Sequence, residues 1–184
     1  MIDLALTFLR DELSNHLNSL YKLPDKAILT SPAPQGGAPQ LDNTISITLI
    51  NIEQEATVRN MAADRVQGAE FQKINPALKL NLKVLFATNF TDYAESLKFL
   101  SATLSFFQGR SVFTPQNSPR LKYLERLLLE LEPTTYQEWS FISGMLGIKH
   151  TPSAVYKVRL ITIQEGSVQS RIPVVRNVNT DVSR

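Results

Sequence analysis

Residues 78–90 read LKLNLKVLFATNF, with Leu78, Leu80, Leu82, Val84 and Phe86 on every second position and Lys79, Asn81 and Lys83 between them. A period of two sends successive side chains to opposite faces, so this stretch is a β-strand with one face in a core and the other wet over its first half. The residues after it narrow the fold class further. Asp92 and Glu95 make a D-x-x-E start, a weaker relative of the capping box, and Tyr93, Leu97, Leu100, Leu104 and Phe107 then recur at helical spacing, with Gly109 placed to end the helix. A half-wet strand running straight into an amphipathic helix is a unit of a sheet with helices packed on it.

The rest of the chain supplies more such units. Ile2, Leu6, Leu9, Leu13, Leu17 and Leu20 succeed one another at spacings of three and four, which predicts an amphipathic helix over 2–21 that Pro24 stops. Residues 31–43 are rich in proline and glycine and read as an exposed loop. TISITLINIE, residues 44–53, begins as an alternating strand through Ile45, Ile47 and Leu49. Ile50 and Ile52 then make the opposite face apolar too, as a bulge or a doubly covered sheet requires. Residues 53–76 are long, polar and weakly periodic, and read as a protruding loop or hairpin extension.

LKYLERLLLELEP, residues 121–133, is ambiguous. Its Leu, Glu, Arg and Lys favour a helix, yet Pro119 and Pro133 bracket it and Leu127, Leu129 and Leu131 alternate. Thr135 and Glu138 form a capping box for a helix carrying Trp139, Ile142 and Leu146 and closed by Gly147. SAVYKVRLITIQ, residues 153–164, is a strong last strand. The tail beyond it is strand-like about Ile172–Val175, with no obvious partner inside the domain. This order predicts an α+β domain over residues 1–164, helices packed on an antiparallel or mixed sheet, with a C-terminal arm over 165–184.

Composition closes off several functions. The 184 residues are 43% hydrophobic and 20% charged, which suits one domain with its own core. The formal net charge is only +2 and the basic residues are scattered, so nothing predicts a nucleic-acid partner. The absence of cysteine excludes disulfides, thiolate zinc sites and thiol nucleophiles. No apolar run is long enough for a membrane span, so direct membrane insertion is not expected. MIDLALTFLRDEL has acids where a signal peptide has its basic start, and the chain is expected to fold in the cytoplasm.

Candidate chemistry is sparse. His16 and His150 have no H-x-x-x-H or H-x-x-E partner to complete a metal site. Asp11, Glu12, Glu125, Glu130 and Glu132 lie within amphipathic elements, where acids form the solvated face. PQGGAP lacks phosphate-loop spacing, and no serine sits in G-x-S-x-G. No enzyme signature, cofactor or metal is predicted.

Four stretches, in order, carry a resemblance. MIDLALTFLRDEL comes first, then LDNTISITLINIEQE with TVRN just after it. LNLKVLFATNFTDYAESLKFLSATLSFFQGRSVFT and LGIKHTPSAVYKVRLITI complete the set. Together they resemble the cap, or tube-terminator, family of contractile injection systems, the phage-tail-like particles typified by the antifeeding prophage and the Photorhabdus virulence cassette. The resemblance implies a phage tail-terminator-like α+β fold. Within it, Phe106 and Phe107 anchor a helix to the sheet, RSVFT (residues 110–114) turns the chain back along it, and ERLLLELEP (residues 125–133) is a strand.

The resemblance also implies a structural protein that forms a homo-oligomeric, hexameric ring on the inner tube protein and secures the sheath protein around it. Such a protein assembles in a bacterial cytoplasm and becomes part of the injection particle. A collar or a tube-to-baseplate adaptor ring is the alternative. Two contact regions are expected. Arg59, Arg65 and Lys73 in the 54–75 segment would face the tube ring or an adjacent subunit. Ile172, Pro173, Val174 and Val175 would form an edge strand added to a sheet in a neighbouring copy or in the sheath.

Overall fold

The computed structural model describes residues 1–30, 43–55, 63–67, 70–74, 78–121, 124, 126–163 and 168–173, with the backbone alone over 63–67, 70–74, 160–163 and 168–173. In chain order the elements are α1 (Ile2–Tyr21), β1 (Ala27–Leu29), β2 (Thr44–Gln54), β3 (Ala63–Gln67), β4 (Glu70–Ile74), β5 (Leu78–Asn89) and α2 (Tyr93–Gly109). They continue with β6 (Val112–Phe113), β7 (Leu127–Leu131), α3 (Tyr136–Leu146), β8 (Ser153–Ile163) and β9 (Val168–Pro173).

Six strands form one sheet in the order β1-β2-β5-β8-β7-β6. The β1–β2 pair is parallel and the other four pairs are antiparallel, so the sheet is mixed and the class is α+β. The strictly alternating strand, β5, lies in its interior between β2 and β8. Its odd–even split works as the alternation requires. Leu82, Val84 and Phe86 are fully buried against α1 and α2, while Lys83 on the opposite face is partly exposed. α1 adds Leu9, Leu13 and Leu17 to that core and α2 adds Phe99 and Phe107.

Local signals set the helix ends. α1 stops with Lys22 in the left-handed conformation (φ 56°), two residues before Pro24. In α2 the Asp92 carboxylate accepts from the Ala94 amide at 3.0 Å. α2 runs through Gly109, but its cap, Arg110, has φ −143°, so the glycine's left-handed freedom is not what ends it. α3 has the full capping box. The Glu138 amide donates to Thr135 Oγ1 at 3.2 Å, the Thr135 amide donates to Glu138 Oε2 at 2.8 Å, and Gly147 ends the helix at φ 64°.

The Phe106–Phe107 pair divides its work. Phe107 packs between Phe86 and Tyr156 of the sheet, each ring centroid 5.2 Å away. Phe106 instead stacks on His16 of α1 at 4.6 Å. Past the helix, Arg110 holds the return of the chain. Its guanidinium donates to Glu12 at 2.8 Å and to the Asn117 carbonyl and Ser118 hydroxyl at 2.6 Å. It also lies 4.9 Å from the centre of the Phe113 ring.

Two expectations, the strand within 125–133 and the hairpin after β2, are met, and one, the unpartnered tail, changes. The helix-favouring propensity of residues 121–133 loses: Leu127–Leu131 is β7, because Leu127 and Leu129 reach the core only on alternating positions beside β8. The segment after β2 contains a hairpin, β3 against β4. The tail, which had no evident partner within the domain, pairs within the same chain. β9 covers Val168–Pro173 and runs antiparallel to β4, with Ile172 opposite Phe71 and Pro173 opposite Glu70. β3, β4 and β9 thus form a second sheet with β4 in the middle.

Candidate interaction surfaces

The two contact regions expected from the sequence meet in that second sheet. Arg65 lies on β3 opposite Gln72, and Lys73 lies on β4 opposite Asp64 and Ser170. Ile172 and Pro173 lie on β9. Arg59, Val174 and Val175 fall outside the described residues. In the chain β4 precedes β5 and β9 comes after β8, so both join the large sheet's strands at the end where Leu78 pairs with Ile163.

A second surface lies on the face of the large sheet opposite α1 and α2. There Leu85, Ala87 and Val155 form a small apolar patch, and Trp139, Ile142 and Leu146 of α3 pack on it together with Ile50 and Ile148. Ile50 reaches this patch because β2 has a bulge between Leu49 and Asn51. Beyond the bulge Ile52 is back on the α1–α2 side, opposite Leu82, and is largely exposed. The expected bulge is present, but it places only Ile50 on the opposite face; the expectation that Ile52 joins it there is overturned by the register. α3 buries no residue of its own, and it presents Tyr136, Phe141 and Met145 to solvent at 96%, 68% and 65% exposure.

Where α3 ends its cover, the same face becomes a charged lattice. Lys83 and Lys157 stand directly opposite each other on neighbouring strands, an arrangement that repels unless anions intervene. Glu53 intervenes, 3.1 Å from Lys83 and 3.5 Å from Lys157, and Glu132 takes Lys83 from the other side at 3.1 Å. One row further on, Arg159 bridges Glu55 at 3.1 Å and Glu130 at 3.3 Å, and Asn81 Nδ2 donates to Glu55 at 2.9 Å. Sequence reading missed this lattice because each residue is an ordinary polar strand position. Only the strand register brings the four strands' charges together.

The electrostatics of the lattice bind its strands together. Hydrogen bonding to Lys83 holds the Glu53 carboxyl below its ordinary range, and the same bond raises the Lys83 ammonium above its own. A nucleophilic or basic lysine needs the opposite shift. Glu55 likewise raises Arg159, while burial pushes the Tyr156 phenol up to about 12 and moves His16 down. Each of these shifts moves away from neutrality, where an acid or base must be poised. The acids singled out from sequence have structural partners: Asp11 binds Arg10, Glu12 binds Arg110, Glu130 binds Arg159 and Glu132 binds Lys83. Glu125 lies outside the described residues. Among the described residues no group of His, Cys, Asp and Glu is arranged to hold a metal, and no helix is long and apolar enough to cross a membrane.

Comparison with known proteins adds a family and a shared fold. One family model, described as the Pvc16 N-terminal domain, matches residues 5–177. The fold is similar to the sheath/tube terminator of PVC, an extracellular contractile injection system, solved in the extended state. The TM-score is 0.63 at 13% identity, over 95% of this chain and 63% of that one. It is also similar to the tube-terminating cap of the anti-feeding prophage, with a TM-score of 0.63 at 12% identity, over 94% of this chain and 59% of that one. The chain thus spans about six-tenths of the length of these solved proteins. No curated protein matches it.

Proposed function

The chain belongs to the family of Pvc16 N-terminal domains, and from that membership we propose that it caps the inner tube of a contractile injection system. Copies form a ring, six to a turn, on the last ring of the tube protein. The ring stops further polymerisation and secures the distal end of the sheath protein around it. Assembly takes place in a bacterial cytoplasm, and the ring then remains part of the particle. The role needs no chemical step.

The observation that carries the reading is the family match over residues 5–177, nearly the whole chain. The fold shared with a sheath/tube terminator and a tube-terminating cap supports it. Arg65, Lys73, Ile172 and Pro173 are proposed contact residues, supported by their common location in the second sheet. Arg59, Val174 and Val175 are proposed with them from the sequence.

The test is to add labelled protein while tube protein polymerises from isolated baseplates, and to image the products. Tubes should shorten as the protein concentration rises, with label only at the end away from the baseplate. Label at the baseplate junction would assign an adaptor instead, and label nowhere on the particle would end the assembly reading.

A further inference from the structure

The edges of the two sheets are treated differently. The large sheet ends in β1, three residues long, and β6, two residues long. Very short edge strands are one way a fold denies other chains a row of free backbone groups. The second sheet has no such protection. Its outer strands are β3, five residues, and β9, six residues, and among the described residues each pairs only with the central β4. Among the described residues both are open along their whole length, whereas in the large sheet only β2 beyond Ile47, where β1 stops, shows a comparable run, and it has no second edge to match it. The proline on β9, Pro173, is its last residue, so it ends the edge without interrupting it.

Direction decides what these edges fit. β3 and β9 each run antiparallel to β4, so they are parallel to each other and face outward on opposite sides. A ring needs a head-to-tail interface made of two different patches that match. Rotation about the ring axis keeps every strand's direction relative to that axis. β3 of one copy therefore meets β9 of the next in parallel, and when the ring closes no edge of this second sheet remains open. A tube or sheath strand on one edge would leave the other edge exposed, whereas a second copy satisfies both.

We propose that β9 of each copy pairs in parallel with β3 of its neighbour, joining the three-stranded sheets into one continuous sheet around the ring. This rests on the ring-forming cap reading and adds the contact that closes the ring. β4 and β9 are joined in the chain to the Leu78–Ile163 end of the β5–β8 pair.

The cysteine-free chain allows a direct test. Cysteine pairs are placed on the two edges, with Asp64, Arg65 or Val66 replaced in combination with Gln169, Ser170 or Arg171. Within one copy these positions lie two strand spacings apart, about 9.5 Å. That exceeds the roughly 4.4–6.8 Å Cα separation a disulfide spans, so a bond can form only between copies. Gln72→Cys with Arg171→Cys is the control, since those residues are directly opposite within one copy.

Each variant is checked against the parent by thermal unfolding, assembled on tube ends, oxidised, and run denatured under non-reducing conditions. At least one edge combination should give a ladder of linked copies up to the closed ring, while the control stays at monomer mass. Rings that form normally but link through no edge combination would overturn the inference and leave the cap reading standing. A ladder from the control would also overturn it, since β9 would then be exchanged onto a neighbour's β4. If the unsubstituted chain forms no ring at tube ends, both fall.

Discussion

On one face of the large sheet, α1 and α2 seal Leu82, Val84 and Phe86 completely from solvent. On the other, α3 covers Leu85, Ala87 and Val155 without burying any residue of its own. The difference separates two tasks. The sealed face concentrates burial and aromatic packing, the terms that dominate folding free energy. The opposite face is held by a small patch, a helix cap and exchangeable ion pairs, so changes there alter the surface more than the fold. Such a division lets residues on the open face change without loss of the core, as the proposed contacts with tube, sheath and further copies would require.

The comparison breaks most readily at Phe86. Its side chain is fully buried and touches both Phe107 and Tyr156. Phe86→Ala should cost about 3–5 kcal/mol, read as a lowered urea midpoint. A loss below ~1 kcal/mol would mean that the sealed face is not what holds the fold. On the other face the sharpest change is Thr135→Ala, which removes one arm of the α3 capping box. It should cost about 1 kcal/mol and show as local fraying of α3 before global unfolding. If α3 instead melts together with β5, the two faces are one cooperative unit and the division between them is wrong.

The smallest expected effect is the pH response of His16, on the sealed side. Burial beside Phe106 lowers its folded pKa below the ordinary value of 6.5, so the unfolded chain binds the proton more readily. Stability attributable to His16 is therefore full above that value and falls as pH drops through the folded pKa. His16→Gln should flatten the slope of stability between about pH 7 and 5. An unchanged slope would remove His16 from the account.

How much the residues alone reveal depends on how local each signal is. The β5 alternation and the Thr135–Glu138 box are complete within a dozen residues, and both elements stand where their pattern places them. β1 is three residues long and offers no period to detect. β7 reverses its own propensity because Leu127 and Leu129 gain more from the core beside β8 than a solvated helix offers. β9 finds its partner in β4, almost a hundred residues earlier, and nothing in either short, mixed strand announces the other. The charged lattice is invisible for a similar reason. Glu53, Lys83, Glu132 and Lys157 come together only through the register of four strands. The proposed contact residues lie about a hundred residues apart in the chain, and only the topology places Arg65, Lys73, Ile172 and Pro173 in one sheet.

The most direct measurement of the central claim is amide hydrogen exchange on the chain, free in solution and assembled at tube ends. Amides of α1, α2 and β5 should exchange equally slowly in both states, because the sealed face is complete in a single copy. Outward-facing amides of β3 and β9 should exchange fast in the free chain and slow once rings form. Unchanged rates at both edges, with new protection confined to the exposed side of α1 or α2, would contradict the account.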